Sequence, residues 1–269
     1  YIAIVMLDRS SVSPAFAQFA ASYDSATPIQ SVVANFLADH IKMHWQAPLP
    51  PRVVIDVGCG TGKLSHACCL RLPPTQIYGI DNAAPMLALW QQRLDGFEPL
   101  FGGNGGKNNR PQGQPILSKM QHIALPSQSA DMVMSSFALH WATPSVMAEL
   151  GRLVKHGGQL HVAVPVAGSF HEVIRRFPKI PIYQFLPSSC WLDAVAQLLR
   201  QRQGHVLYQI EQRFSHSYTD LQTLLKNLKK MGGAVSGQEQ IPMTVLRQYL
   251  QDSTPVSLDY QMLILGLSL

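Results

Sequence analysis

The 269-residue chain is 46% hydrophobic and carries a formal net charge of +5, enough apolar content for the core of one α/β domain. No apolar run approaches the roughly 20 residues of a membrane span, and the apolar start Tyr1 to Leu7 lacks the basic region of a secretory signal. Four cysteines (Cys59, Cys68, Cys69, Cys190) without C-x-x-C spacing argue against a disulfide framework or a zinc site and for a reducing, cytoplasmic setting, and scattered lysines and arginines argue against nucleic acid.

In chain order, Ser11 to His44 reads as helical. Phe16, Phe19, Ala20 and Tyr23 recur at helical spacing, Pro28 breaks the run, and Val32, Val33, Phe36, Leu37 and Ile41 continue it. The proline-rich stretch 45–52 is a linker into a sheet. Val53 to Val57 is an apolar strand that breaks into Gly58, Gly60 and Gly62, and a helix-compatible segment runs from Lys63 to Leu72. Such a strand, tight turn and helix start form the first βα unit of a nucleotide-binding sheet, and the helix start offers unpaired N–H groups.

The glycine spacing selects the ligand class. A dinucleotide fingerprint beginning at Gly58 needs glycine at position 63, which is Lys63. The pattern is instead D-x-G-x-G-x-G, with Asp56 at the end of the strand. A carboxylate beside a close glycine turn suits a ligand with an ammonium group and no pyrophosphate, a description that S-adenosylmethionine meets. Gln76 to Asp81 is the second strand and ends in an acid about twenty residues after the turn, where an acid meets a ribose hydroxyl pair. Asp81 is equally placed to cap the following helix, Met86 to Arg93.

Gly96 to Lys119, rich in Gly, Asn, Gln and Pro, is expected to be an irregular, mobile loop. Met120 to Leu125 is the expected third strand, Asp131 to Ser136 the fourth and Gln159 to Pro165 the fifth. Between the last two, Ser145 to Lys155 is expected to be a helix ended by the glycine C-cap His156-Gly157-Gly158. Helices are expected over 170–177, 187–202, 219–230 and 242–251, with strands over 205–214 and 258–267.

Asp56 to Gly62, Tyr78 to Asp81 with Pro85-Met86-Leu87, and Leu125-Pro126 followed by Ala130 to Ser136 resemble class I S-adenosylmethionine-dependent methyltransferases. Further segments resemble the malonyl-acyl-carrier-protein O-methyltransferases of biotin synthesis. These are Phe16 to Asp24, Phe137 to Trp141, Gly168 to Glu172, Phe185-Leu186-Pro187, Leu228 to Ala234 and Tyr260 to Gly266. The resemblance implies a Rossmann-like fold: a mostly parallel seven-stranded sheet with helices on both faces and helical insertions on the acceptor side. It implies one domain, with a helical lid (12–45), a cofactor core (53–165), acceptor-side insertions (166–253) and a final strand (254–269).

The cofactor implied is S-adenosyl-L-methionine, held by Asp56, Gly58, Cys59, Gly60, Gly62, Asp81, Asn82, Met86, Gln121, His122, Ser135 and Phe137. Gln121 stands where the family commonly carries an acid near the adenine. The partner implied is acyl carrier protein bearing a malonyl group. Tyr23, His140 and Trp141 are the candidates to line the reacting groups; Ser169, Arg175, Arg176 and Lys229 are the candidates for binding the acceptor. In the family an arginine often precedes Phe-Leu-Pro, and here Gln184 occupies that position. A carboxylate acceptor with a pKa near 4 needs no general base at neutral pH. The residues alone also fit transfer to another small acid, to a ring hydroxyl served by a base, or a non-catalytic cofactor-binding protein.

Overall fold

The computed structural model describes residues 12–97, 110–231 and 241–269. Tyr1 to Leu7, most of the glycine-rich stretch and the Gly232-Gly233-Ala234 motif lie outside them. The helices are α1 (Val12–Ala26), α2 (Pro28–His44), α3 (Lys63–Arg71), α4 (Ala84–Asp95), α5 (Val146–Leu153), α6 (His171–Arg176), α7 (Ser188–Arg202), α8 (Leu221–Lys230) and α9 (Met243–Leu250). The strands are β1 (Val53–Val57), β2 (Gln76–Asp81), β3 (Gln112–Leu117), β4 (Ala130–Ser136), β5 (Val154–Val166), β6 (His205–Tyr218) and β7 (Val256–Ser268). They form one sheet in the order β3-β2-β1-β4-β5-β7-β6. β1 to β5 pair in parallel, and β7 runs antiparallel to both β5 and β6.

Alternate residues of each buried strand feed opposite faces of the sheet. Val54, Met132 and Met134 join α2, α3 and α4 in one core, whereas Ile55, Val57 and Val133 join α5 and α7 in the other. Chain order reverses at β1 and β4, so their carboxyl ends open the crevice where such sheets bind ligands.

Two expectations are corrected. The third strand is Gln112–Leu117, inside the stretch read as a loop, and Met120 to Leu125 carries no strand. β3 is an edge strand, mostly exposed, with β2 as its one partner. It therefore needs neither an apolar run nor every backbone donor, and it tolerates Pro115. The helix before β5 ends at Leu153, where the chain passes directly into the strand at Val154. Gly157, with φ 76°, lies within β5 instead of capping the helix.

A buried polar chain pins α2 to the sheet. Gln159 Nε2 donates to the His44 carbonyl (3.1 Å), leaving its Oε1 to accept from His161 Nε2 (2.9 Å). His161 Nδ1 then accepts from the Tyr208 hydroxyl (2.8 Å). Burial holds this imidazole neutral, with its pKa lowered to about 3.

Candidate cofactor and acceptor site

The site begins where β1 runs out. The N–H groups of Gly58 and Cys59 both donate to the Ile80 carbonyl (2.7 and 3.0 Å), which holds the glycine turn against β2. Gly58 adopts φ 67°, and a Cβ there would fall 2.1 Å from Ala138 Cβ, so the turn and the segment after β4 can meet only at a glycine. Asp81 ties the other side: Oδ2 accepts from Gly60 N and Oδ1 from Ala83 N, each at 2.9 Å. Ala83 is the residue that precedes α4, and Asp81 meets the helix start through the N–H of Ala83. Burial raises the Asp81 pKa while the backbone donors of Ala83, Gly60 and Asn82 oppose the shift.

Asp56 is 1% exposed. Its Oδ2 accepts from the Ser65 hydroxyl (2.5 Å), and Ser65 Oγ accepts in turn from Trp90 Nε1 (2.8 Å). The Trp90 indole is fully buried, and a Cβ added to Gly79 would approach it to 2.4 Å. A single indole thus fixes Ser65, and Ser65 fixes the carboxylate. Burial pushes Asp56 up to about 7, with the neighbouring Asp81 adding to the rise against the Ser65 hydrogen bonds.

The helix α1 is fastened over this turn by Asp24. Its carboxylate accepts from the Thr61 hydroxyl (2.6 Å) and pairs with Arg93. Lys63 donates to the Thr27 carbonyl (2.8 Å) and hydroxyl (2.5 Å), and lies 3.7 Å from Asp24 Oδ1. Burial lowers Lys63 to about 8 against the pull of Asp24.

These groups border a cavity of about 330 Å3. Of the residues proposed from sequence, Tyr23, Asp56, Gly58, Cys59, Gly60, Asp81, Asn82, Met86, Gln121, Phe137 and Trp141 line it. Burial holds the Cys59 thiol well above its ordinary range, so it is no nucleophile.

The other candidates do not line the cavity, each for a visible reason. The Gly62 position packs against Trp90, 2.9 Å from a would-be Cβ. His122 is exposed. Ser135 is fully buried and donates to the Val57 carbonyl (2.7 Å). His140 sits behind the wall, its ring 4.4 Å from that of Trp141 and edge-on to Phe185 at 5.3 Å. The Ser169 hydroxyl donates to the Val166 carbonyl (2.8 Å) and accepts from Gln261 N (2.9 Å), closing the turn into α6. Arg176 is held by Glu172 (2.8 Å) and Asp252 (2.9 Å), and Arg175 and Lys229 are exposed on α6 and α8.

The cavity also gains residues that sequence reading did not assign, chiefly Gln30, Thr61, Lys63 and Lys119. Thr61 stands inside the glycine motif and Lys63 directly after it, where Lys63 serves in the sequence only to exclude a dinucleotide and Thr61 has no assigned role. Beyond the turn the wall becomes aromatic. Phe137, held at φ 54°, meets Tyr260 edge-on at 5.0 Å, and Tyr260 meets Phe170 at 4.9 Å. Tyr183 contacts both Trp141 (5.6 Å) and Phe185 (4.8 Å).

This sheet order, with an acid-flanked glycine turn at its switch point, is the fold of class I S-adenosylmethionine-dependent methyltransferases. Residues 55–162 match the family model of the methyltransferase domain. The chain is 29% identical over 230 residues to the malonyl-[acyl-carrier protein] O-methyltransferase of Alcanivorax borkumensis, covering 83% of this chain and 71% of that one. It is 25% identical to the protein of the same name from Yersinia pestis, covering 95% and 90%. Among solved structures, a putative methyltransferase from Bacillus halodurans superposes with a TM-score of 0.55 at 15% identity, covering 86% of this chain and 97% of that one. A geranyl diphosphate methyltransferase in complex with S-adenosylmethionine gives 0.52 at 14% identity, covering 88% and 84%. Both likenesses are of fold.

The residues present fit this cofactor: a buried acid (Asp56) and a half-buried one (Asp81), a glycine turn open at Gly60, and an α3 start without a side-chain cap.

Proposed function

We propose that the chain transfers a methyl group from S-adenosylmethionine to the free carboxylate of a malonyl group on acyl carrier protein. The observation that carries the reading is the two-part cavity, an acid-flanked glycine turn continuous with an aromatic chamber, in a chain similar along most of its length to enzymes of that name. A further relative is named a biotin biosynthesis bifunctional protein, from Cellvibrio japonicus, which supports a role in biotin synthesis.

When bound, the cofactor supplies an electrophilic methyl on a sulfonium. Asp56 is the candidate to face its ammonium and Asp81 its ribose hydroxyls, while Gln121 at the β3 edge is the candidate for the adenine. Tyr23 on α1 closes over the methionyl end. The acceptor carboxylate is already ionised at neutral pH, so no side chain has a proton to take. Phe137 and Trp141 align it and exclude the water that would over-solvate the anion. The position of His140 behind the aromatic wall favours this over a ring hydroxyl that needs a base.

Lys226, Lys229 and Lys230 are exposed on α8, with Arg247 exposed on α9. The last turns of α8 bind α1: Asn227 Nδ2 donates to the Ala26 carbonyl (2.7 Å) and Ser22 Oγ to that of Lys230 (3.4 Å). This positive surface beside the lid suits an acidic carrier. Reversing Lys229 and Lys230 to Glu is expected to raise KM for a carrier-bound acceptor and leave a free malonyl thioester unchanged. Equal effects on both acceptors count against the docking surface.

The deciding experiment offers labelled S-adenosylmethionine with malonyl-carrier protein, malonyl-coenzyme A and unacylated carrier. Label on malonyl-carrier protein, released as methanol by mild base, is the expected result. Cofactor binding without transfer to any malonyl thioester overturns the substrate and leaves the class intact.

A further inference from the structure

An enzyme that binds a carboxylate is expected to present a cation to it, yet the acceptor side of this cavity has none among the described residues. The two lining lysines are committed or distant. Lys63 is turned into Thr27 and Asp24. Lys119 follows β3 at one edge of the sheet, whereas the aromatic chamber closes on β7 toward the other. Arg176 is taken by Glu172 and Asp252, and Arg213 by Asp259.

The chamber contains a buried neutral amide instead. The buried stripe of α2 reads Ile29, Gln30, Val33, Ala34, Leu37, Ala38 and Ile41, in which Gln30 is the one polar side chain. Gln30 is 8% exposed, lines the cavity, and has its amide close to the Tyr260 hydroxyl. Tyr260 is the ring against which Phe137 packs, so the amide stands at the acceptor end. An amide has more donor and acceptor sites than one neighbouring hydroxyl can use, so one that lines a cavity can hydrogen-bond a ligand there.

We infer that Gln30 is the specificity-determining contact for the acceptor carboxylate, which this enzyme holds by neutral donors and an aromatic enclosure in place of a cationic clamp. The inference rests on the carboxyl-methylation reading above. Its physical logic is the charge change in the reaction. The carboxylate loses its charge as the ester forms, so a bidentate arginine would stabilise the ground state more than the transition state. An amide N–H orients the oxygen with a smaller penalty of that kind. The same contact explains how Gln184, in place of a family arginine, is compatible with an acidic acceptor.

The test uses full-length protein with Gln30→Met, which conserves volume and deletes the amide, and Gln30→Glu, which sets a second carboxylate against the first. Three quantities are measured: S-adenosylhomocysteine affinity by calorimetry, KM and kcat for malonyl-carrier protein, and the pH profile of kcat/KM. Loss of one hydrogen bond to a charged group predicts a fall in kcat/KM of about ten- to a hundredfold for Gln30→Met, carried mainly by KM, with cofactor affinity within about twofold of wild type. Gln30→Glu should lose more at neutral pH and recover as the pH falls toward carboxylate protonation, a limb absent from wild type and Gln30→Met. Parallel loss of cofactor affinity, or unchanged kcat/KM in both variants, overturns the inference. A wild type that transfers no methyl to any malonyl thioester defeats the parent reading as well, whereas an active wild type with indifferent variants defeats this one alone.

Discussion

The two ends of the cavity are built by opposite means. The donor end is polar and local: Asp56, the glycine turn and Asp81 come from two adjacent strands and the turn between β1 and α3, and each carboxylate is bonded to hydroxyl or backbone donors within reach of its own strand end. The acceptor end is aromatic and assembled at a distance, from Gln30 on α2 and Phe137 and Trp141 after β4, with Tyr260 on the last strand packed behind Phe137. Recognising a cofactor of fixed shape calls for charges in a rigid frame. Dispersing charge in a transition state calls for the reverse, a chamber in which few groups hold the anion back.

The largest effect that separates the two ends is expected at Asp81. Asp81→Ala removes the acceptor of both Gly60 N and Ala83 N as well as the proposed ribose contact, so cofactor affinity should fall by about a hundredfold, two charged-group hydrogen bonds together. The far-ultraviolet spectrum should stay native. Unchanged affinity in calorimetry would remove Asp81 from the donor end. At the acceptor end, Trp141→Ala is expected to lower kcat/KM for malonyl-carrier protein by about ten- to a hundredfold with cofactor affinity retained, because it opens the chamber to water. A parallel loss of cofactor binding would show that the ends are not separable.

This division explains what was legible in the sequence. The donor end was readable because D-x-G-x-G-x-G and a later strand-terminal acid are contiguous, and their spacing alone fixes their geometry. The strands β1, β2 and β4 were readable because burial on both faces makes them apolar throughout. β3 was not, since an edge strand carries no such signature. Ser169 and Arg176 do not line the cavity, because sequence shows a residue's chemistry and not its commitments: Gln261 and Val166 engage the first, and Glu172 and Asp252 the second. Gln30 left a faint signal, a polar residue on an otherwise apolar helical stripe.

Between the two ends lies the fastening of α1. Asp24→Asn removes the charge that joins Thr61 and Arg93 across the lid, and it is expected to speed cofactor release by about three- to tenfold in stopped-flow, the size of one partly exposed charged contact. Transfer in single turnover should stay near wild type, since Tyr23 and the chamber remain. An unaltered release rate would mean that packing alone holds the helix down.

The last effect is a pH dependence peculiar to the donor end. In the folded protein burial pushes the Asp56 pKa up to about 7, from an ordinary 3.8. The folded state therefore holds extra proton between those values, and this group's stabilisation is fully present below about 4 and lost as the pH rises through 7. Cofactor binding has the opposite sign. An ammonium beside Asp56 favours the carboxylate, so affinity should rise as the pH passes through 7, by up to about tenfold per unit below the folded pKa. The free protein should lose stability over the same interval in which the complex gains affinity. Asp56→Asn should flatten that limb, leaving the shallower dependence from the cofactor's own amine. Calorimetry at pH 6, 7 and 8 on both proteins decides it: parallel profiles would place the ammonium away from Asp56 and leave this carboxyl a structural partner of Ser65.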